Sequence, residues 1–140
     1  MERRDFLKTS CSLCVGISAG ILLSQLSACS SLPLYKAERN GDSIEVPLSL
    51  FSNIDLYIIR PKNYEYDIAL QKHNDGSYAA FLLRCTHAAT KLQFTGNNFY
   101  CNLHGSTFDE HGAVTRGPAE YPLTKLKARV VNDIIQIELS

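Results

Sequence analysis

Two short segments of the sequence each combine one cysteine with one histidine. The first is Cys85-Thr86-His87 and the second is Cys101-Asn102-Leu103-His104. A thiolate and an imidazole in each segment favour a [2Fe–2S] cluster in which two cysteines hold one iron and two histidines hold the other; the nitrogen ligands raise the reduction potential of such a cluster. The spacing therefore indicates a protein that moves single electrons.

A structural zinc ion is the alternative occupant of the same four residues. Zinc also accepts two sulfur and two nitrogen ligands and can stabilise a small fold. Zinc fingers, however, pair cysteine with cysteine and histidine with histidine, whereas each segment here mixes the two ligand types. The mixed pairs favour the cluster, and a zinc-stabilised lipoprotein with a binding role stays as an alternative.

The residues around these segments resemble the Rieske [2Fe–2S] family. The two cluster-binding loops of that family read Cys-x-His and Cys-x-x-His, and the second usually continues into Gly-Ser and an aromatic-Asp pair. Here the continuation is Gly105-Ser106-Thr107-Phe108-Asp109. Downstream, Gly112, Gly117-Pro118-Ala119 and Pro122-Leu123 are similar to the family's glycine after the second loop and its proline-containing third loop. The resemblance extends over residues 65–140.

The resemblance implies a ligand set. Cys85 and Cys101 would bind the inner iron as thiolates, and His87 and His104 would bind the outer iron near the surface. It also places Gly105, Ser106 and Pro118 around the cofactor, and it implies that the Ser106 hydroxyl donates to a bridging sulfide, which stabilises the reduced cluster. Because ligated imidazoles become more acidic on oxidation, the potential is expected to fall as pH rises. No residue is predicted to be catalytic.

Two features distinguish this chain from the high-potential Rieske proteins of quinol-oxidising cytochrome bc complexes. Those proteins carry an additional cysteine in each loop, joined as a disulfide, where this chain has Thr90 and Leu103. They also usually have a tyrosine whose hydroxyl bonds a cysteine sulfur, at the position of Phe108, which offers no donor. The expected potential is therefore lower than theirs.

The beginning of the chain has the pattern of an export signal. Arg3-Arg4-Asp5-Phe6-Leu7-Lys8 has the form of a twin-arginine signal, and residues 9–35 contain no charged side chain. This stretch includes Leu26-Ser27-Ala28-Cys29, which looks like a bacterial lipobox. The sequence predicts a signal peptide over residues 1–28 and a lipid on Cys29, with an uncleaved membrane helix as the alternative. Either anchor leaves the domain outside the cytoplasm, at the cytoplasmic or the outer membrane.

The other histidines and cysteines are not predicted to have a role in the site. His73 and His111 lie in polar turns with no second ligand at a useful spacing, and Cys11 and Cys14 fall within the signal segment. The chain has 14 Lys and Arg against 14 Asp and Glu, so its charge balance does not favour a nucleic-acid partner.

The rest of the chain is predicted to be a polar, lipidated tether over residues 29–41 and a single Rieske domain over residues 42–140. Alternating or β-branched and aromatic runs predict an all-β domain of small antiparallel sheets without an amphipathic helix, with the cluster-binding loops at hairpin ends. The predicted strands cover residues 44–50, 56–60, 66–72, 78–84, 91–94, 99–100, 125–131 and 134–139. The turn residues Asn74-Asp75-Gly76 predict a hairpin between the third and fourth of these strands.

These observations predict a membrane-anchored Rieske electron carrier, or the electron-transfer subunit of an exported oxidoreductase. Its partner would be a cytochrome or an oxidoreductase subunit. The alternative is the Rieske subunit of a quinol-oxidising cytochrome bc complex, for which quinol would be a partner.

Overall fold

The computed structural model describes residues 32–139, and these residues form short strands and one 3-10 helix. The predicted signal peptide and Cys29 lie outside the described residues. The strands are β1 (Leu34–Ala37), β2 (Arg39–Asn40), β3 (Ser43–Pro47), β4 (Leu56–Pro61), β5 (Ile68–Lys72), β6 (Tyr78–Leu82), β7 (Gln93–Thr95), β8 (Asn98–Tyr100), β9 (Thr107–Phe108), β10 (Val114–Arg116), β11 (Lys125–Leu126), β12 (Ala128–Val131) and β13 (Ile134–Glu138), and the 3-10 helix is Leu48–Ser52.

The strands form three sheets, which confirms the predicted all-β class. A five-stranded sheet has the order β1-β4-β5-β6-β11, and a four-stranded sheet has the order β12-β13-β3-β2. The third sheet has the order β10-β9-β8-β7. Its strands β7 and β8 lie between the two predicted ligand segments in the sequence, and β9 follows the second segment. All strand pairs are antiparallel except β1 with β4, which is parallel. In the described residues, no helix is long and apolar enough to cross a membrane.

The five-stranded sheet is buried on both faces. Ile59, Ile68 and Leu70 pack with the sheet that contains β3 and β13, whereas Ile58 and Ala69 pack with the small sheet that contains β8 and β9. This explains why β5 reads as a nearly continuous apolar run with four consecutive buried residues, and not as an alternating strand. The hydrophobic core between the five-stranded sheet and the small sheet also contains both predicted cysteine ligands, Cys85 and Cys101.

The structure corrects the predicted tether at its end nearest the domain. Residues 34–37 form β1 and residues 39–40 form β2, so part of the segment 29–41 belongs to the folded domain. Its polar composition and Pro33 suggested a solvated linker, but β1 pairs through its backbone with β4 and buries Ala37 against the core. Pairing of this kind between distant segments leaves little local trace in the sequence, since only one residue of β1 is buried.

Most of the predicted strands are present, with shifted ends. The strand predicted over residues 44–50 ends at Pro47, where the 3-10 helix begins and buries Phe51. The hairpin predicted around Asn74-Asp75-Gly76 joins β5 to β6, and the Asp75 carboxylate accepts hydrogen bonds from the Ser77 amide (2.9 Å) and hydroxyl (2.6 Å). β9 and β10, of two and three residues, were not predicted.

Candidate cluster-binding site

The first predicted ligand segment lies in a tight loop that follows β6. The amide of Cys85 donates to the carbonyl of Thr90 at 2.8 Å, and the amide of Ala89 donates back to the carbonyl of Cys85 at 2.9 Å. Ala89 has a φ of +53°, in the left-handed region that a residue with a side chain rarely adopts. A bridge between Arg84 and Lys91 closes the loop at its base.

The second ligand segment repeats this arrangement. The amide of Cys101 donates to the carbonyl of Ser106 at 2.8 Å, and the amide of Gly105 donates to the carbonyl of Cys101 at 2.9 Å. Gly105 has a φ of +82°, and glycine adopts this conformation without steric cost. The two loops are therefore equivalent in backbone bonding, with Ala89 matching Gly105 and Thr90 matching Ser106.

The loops separate the two kinds of predicted ligand by burial. Cys85 and Cys101 are 2% and 1% exposed, and neither forms a disulfide. His87 and His104 are exposed, and their ring centroids are 5.0 Å apart with the ring planes inclined at 79°. Two imidazoles that each bind one metal ion through one nitrogen at about 2.1 Å have centroids about 5 Å apart when the nitrogen–metal–nitrogen angle is near tetrahedral. The histidine pair therefore fits a shared iron.

The surroundings of Cys101 favour its thiolate. Burial raises the pKa of this thiol, but hydrogen bonds from the Thr90 hydroxyl, the backbone amides of Leu103 and His104, and the Cys85 thiol outweigh burial and hold the pKa below its ordinary value. The Thr90 hydroxyl oxygen lies 3.1 Å from the Cys101 sulfur. A thiolate is the form in which cysteine binds a metal.

A third loop packs beside these two. The buried Ser106 hydroxyl accepts a hydrogen bond from the amide of Ala119 at 3.0 Å, next to Pro118. On the other side, the Thr86 hydroxyl donates to the carbonyl of Tyr121 at 2.7 Å. The third loop is thus held to both ligand loops.

The four predicted ligands form a buried thiol pair and an exposed imidazole pair. Within residues 32–139, no group of three or more His, Cys, Asp or Glu side chains is arranged to hold one metal ion. A [2Fe–2S] cluster needs two ligands at each iron. Two buried thiols and two adjacent exposed imidazoles fit that requirement.

Comparison with known proteins decides the family. The sequence profile of the Rieske [2Fe-2S] domain matches residues 57–127, half of the chain. The chain belongs to the Rieske [2Fe–2S] family. Its cofactor is accordingly a [2Fe–2S] cluster, which settles the choice between a cluster and a structural zinc ion in favour of the cluster. The matched residues include both ligand loops of this Rieske domain.

The Rieske chain is related in sequence to iron–sulfur subunits of cytochrome b6-f complexes. It is 42% identical to subunit 1 of Synechocystis sp. over 55 residues, which cover 38% of this chain and 31% of that protein. It is 36% identical to the subunit of Synechococcus elongatus over 70 residues, which cover 49% of this chain and 38% of that protein. The Rieske chain thus spans about a third of the length of the curated relatives that it matches.

Solved structures show a more distant likeness. The plasma membrane Rieske protein PetC3 of Synechocystis is 19% identical, with a TM-score of 0.46 over 69% of this chain and 86% of that chain. A chain from the complex of oxygenase and ferredoxin in carbazole 1,9a-dioxygenase is 18% identical, with a TM-score of 0.49 over 71% of this chain and 95% of that chain. The family assignment rests on the sequence match.

The structure also shows contacts that the sequence did not predict. Thr90 contacts the sulfur of Cys101, a role that its position in place of a family cysteine did not indicate. Tyr66 and Asp67, which no motif marks, bond to the first ligand loop and to its base. His73 and His111, which lie far apart in the sequence, stack with centroids 6.4 Å apart and planes inclined at 25°. This pair faces a polar cavity of about 580 Å³ with Asp55, Gln71 and Glu110 among its lining residues.

Proposed function

We propose that this Rieske protein is a membrane-anchored one-electron carrier, in which Cys85 and Cys101 hold the inner iron and His87 and His104 hold the outer iron. When bound, the cluster supplies a one-electron couple. The observation that carries the proposal is the split in burial, with two buried thiols behind two exposed imidazoles whose ring centroids are 5.0 Å apart.

The exposed imidazoles give the site its outward contact. His87 and His104 lie at the surface, and the neighbouring side chains of Leu103 and Tyr121 are 56% and 69% exposed. A redox partner can approach the histidine edge of the site through this mixed apolar and imidazole surface, while the protein core covers the thiol edge. With a cluster bound, the second ring nitrogen of His87 and of His104 would remain free to carry a proton, which would couple loss of an electron to loss of a proton.

Anchoring at Cys29 would keep the domain close to the membrane. β1 begins at Leu34, so four residues separate the proposed lipid site from the first strand, and at about 3.5 Å per residue the five steps from Cys29 to Leu34 reach at most roughly 17 Å. The twin-arginine pattern and the lipobox support export and lipidation. We therefore propose a partner that lies in or on the same membrane.

A second candidate is the Rieske subunit of a quinol-oxidising complex. It is favoured by the relatives, which are cytochrome b6-f iron–sulfur subunits. It is disfavoured by Thr90, Leu103 and Phe108, which replace the disulfide and the tyrosine of the high-potential proteins. Purification of the membrane-bound protein in mild detergent separates the two candidates, because a stable complex subunit would carry b-type haem with it.

Electron paramagnetic resonance (EPR) of the dithionite-reduced protein tests the ligand set. His104→Cys should abolish the Rieske-type signal, because the outer iron would lose a nitrogen ligand. The matched control is His111→Cys, which changes an exposed histidine outside the site and should leave the signal intact. An unchanged spectrum for His104→Cys would remove His104 from the ligand set.

Cell fractionation tests the anchor separately. Cys29→Ala should release the protein from the membrane fraction, whereas Cys14→Ala, a cysteine within the predicted signal peptide, should not. A Cys29→Ala protein that stays on the membrane would contradict the lipid anchor and favour the uncleaved helix, with the cluster assignment unaffected.

A further inference from the structure

The Thr90 side chain connects the two ligand loops. Its hydroxyl oxygen lies 3.1 Å from the sulfur of Cys101, eleven positions further along the chain. Its own carbonyl accepts the amide of Cys85 at 2.8 Å. One residue of the first loop therefore contacts the backbone of one proposed thiolate ligand and the sulfur of the other.

The donor in this contact follows from the chemistry of the sulfur. In the free protein either atom could donate, because a thiol and a hydroxyl each carry a hydrogen. A cysteine that binds iron does so as a thiolate, which has no hydrogen left to give. Once Cys101 is a ligand, the Thr90 hydroxyl must be the donor.

The backbone fixes where this hydroxyl points. Thr90 occupies the position in the first loop that Ser106 occupies in the second, since the same pair of backbone hydrogen bonds encloses each. Each ligand loop therefore ends in a hydroxyl residue. Ser106 is fully buried and Thr90 is half-buried, so both hydroxyls are partly or wholly shielded from water.

We propose that Thr90 is a potential-setting residue, whose hydrogen bond to the Cys101 sulfur raises the reduction potential of the cluster. The inference rests on the proposed assignment of Cys101 as a ligand. A donor to a ligating sulfur withdraws negative charge from it and stabilises the reduced, more negative cluster. Phe108 is completely buried and has no hydroxyl to donate, which is why the sequence predicted a low potential. Thr90 supplies a donor to a cysteine sulfur that this prediction did not take into account.

The same contact replaces part of the missing loop disulfide. In this chain the position that resembles one disulfide cysteine carries Thr90, while Leu103, at the other, is 56% exposed. Thr90 turns inward to the second loop and ties it to the first with a hydrogen bond in place of a covalent bond. A hydrogen bond from a hydroxyl to sulfur is much weaker than a disulfide bond. We therefore expect its main measurable effect to be on the reduction potential of the cluster.

The test is a redox titration of the cluster-loaded protein, followed by EPR, for wild type, Thr90→Val and Thr90→Ser. Valine has the shape of threonine without the hydroxyl, and serine keeps the hydroxyl. The expected result is a lower midpoint potential for Thr90→Val and a potential near that of wild type for Thr90→Ser. The shift should be the same at each pH, because the substitution leaves both histidines in place.

The outcomes separate this inference from the proposed function. Cluster-loaded Thr90→Val with the potential of wild type would overturn the inference and leave the electron carrier standing. A complete loss of cluster from Thr90→Val would also overturn it, because Thr90 would then be required for loop folding. Wild-type protein without iron and acid-labile sulfide after anaerobic reconstitution would instead overturn the proposed function itself. Partial loading is no obstacle, since the EPR signal comes only from molecules that hold the cluster.

Discussion

The hydroxyl of Tyr66 donates a hydrogen bond to the carbonyl of Ala89 at 2.9 Å, across 23 positions of sequence. Ala89 is the residue of the first ligand loop that has a φ of +53°, a conformation that costs a residue with a side chain about 1 kcal/mol. The Arg84 guanidinium lies 5.7 Å from the centre of the Tyr66 ring and helps to hold it in place. The segment before β5 thus supports the first loop at its most strained point.

Tyr66→Phe should loosen this loop. The substitution removes one hydrogen bond and keeps the ring, so we expect a loss of about 1 kcal/mol in the free energy of unfolding. Because the bond ends on the loop itself, iron release to a chelator should become faster. Tyr64→Phe is the matched control, since the Tyr64 hydroxyl bonds the carbonyl of Leu139 at 3.4 Å, outside the ligand loops. Equal acceleration in both variants would contradict a specific role for Tyr66.

A buried carboxylate supports the base of the same loop. The Asp67 side chain is 3% exposed and accepts hydrogen bonds from Arg60 Nε (2.9 Å) and Nη2 (2.8 Å), with Lys91 Nζ at 3.6 Å. The hydrogen bond to Asp67 raises the pKa of Arg60, against a smaller opposing effect of burial, and the carboxylate charge adds to the rise. Lys91 directly follows Thr90, so Asp67 links β5 to the end of the first loop.

Asp67→Asn should therefore be costly. Removal of the charge leaves two cations without their shared partner; because both are partly exposed, water compensates for some of the loss, and we expect about 2 kcal/mol of destabilisation. Urea unfolding at neutral pH measures it. Glu38→Gln breaks the exposed pair with Lys62 at 3.2 Å and should cost less than about 0.5 kcal/mol. Similar losses in the two variants would show that burial gives Asp67 no particular importance.

The sequence was most informative where chemistry restricts the choice of residue. Few residue types can bind iron, so Cys85, His87, Cys101 and His104 could be named as candidate ligands from type and spacing alone, and the structure brings their loops together. The hairpin between β5 and β6 was visible because Asn74-Asp75-Gly76 has turn chemistry between two apolar runs.

The supporting contacts could not be predicted because they join distant segments through common residue types. Tyr66 and Ala89 are 23 positions apart, and a tyrosine near a strand ordinarily indicates packing. β1 was interpreted as tether because its pairing with β4 is made by backbone groups that every residue carries. The two residues of β9 are too few for any periodicity to appear.

Tyr78 should give the fold a dependence on alkaline pH. Its half-buried ring packs edge-on against Phe51 with centroids 5.2 Å apart, and burial first, then the charge of Asp55, raises the pKa of its hydroxyl above the ordinary value of 10.0. In the unfolded chain the hydroxyl ionises at its ordinary pKa, so the stabilising contribution is complete below about pH 10 and is lost as pH rises through the folded pKa.

Tyr78→Phe removes this ionisation and keeps the ring packing. Relative to the variant, wild type should lose stability only at pH values above about 10, as measured by thermal unfolding at a series of pH values. The difference in absorbance at 295 nm between the two proteins should report ionisation of Tyr78 in the same range. If the absorbance difference were already complete below about pH 10, the raised pKa of Tyr78 would be contradicted.

Ser106 is placed to do two things with one hydroxyl. It is 0% exposed, and its oxygen accepts the amide of Ala119 at 3.0 Å, so the hydroxyl hydrogen stays available for a second bond. We expect Ser106→Ala to lose about 1–3 kcal/mol of stability, because a buried amide would lack its acceptor.

The hydroxyl hydrogen of Ser106 leads to a separate prediction for the reduction potential of the cluster. If it is donated to a cluster sulfide, Ser106→Ala should lower the midpoint potential as well as the stability, because the reduced cluster carries more negative charge and loses the donor that stabilises it. The matched control is Thr107→Ala, whose hydroxyl instead bonds that of Thr115 at 2.8 Å on the exposed side of the small sheet, and which should keep the wild-type potential. A Ser106→Ala protein that is less stable but unchanged in potential would restrict Ser106 to holding the third loop, and Thr90 would then be the one hydroxyl of the two equivalent loops that acts on the cluster.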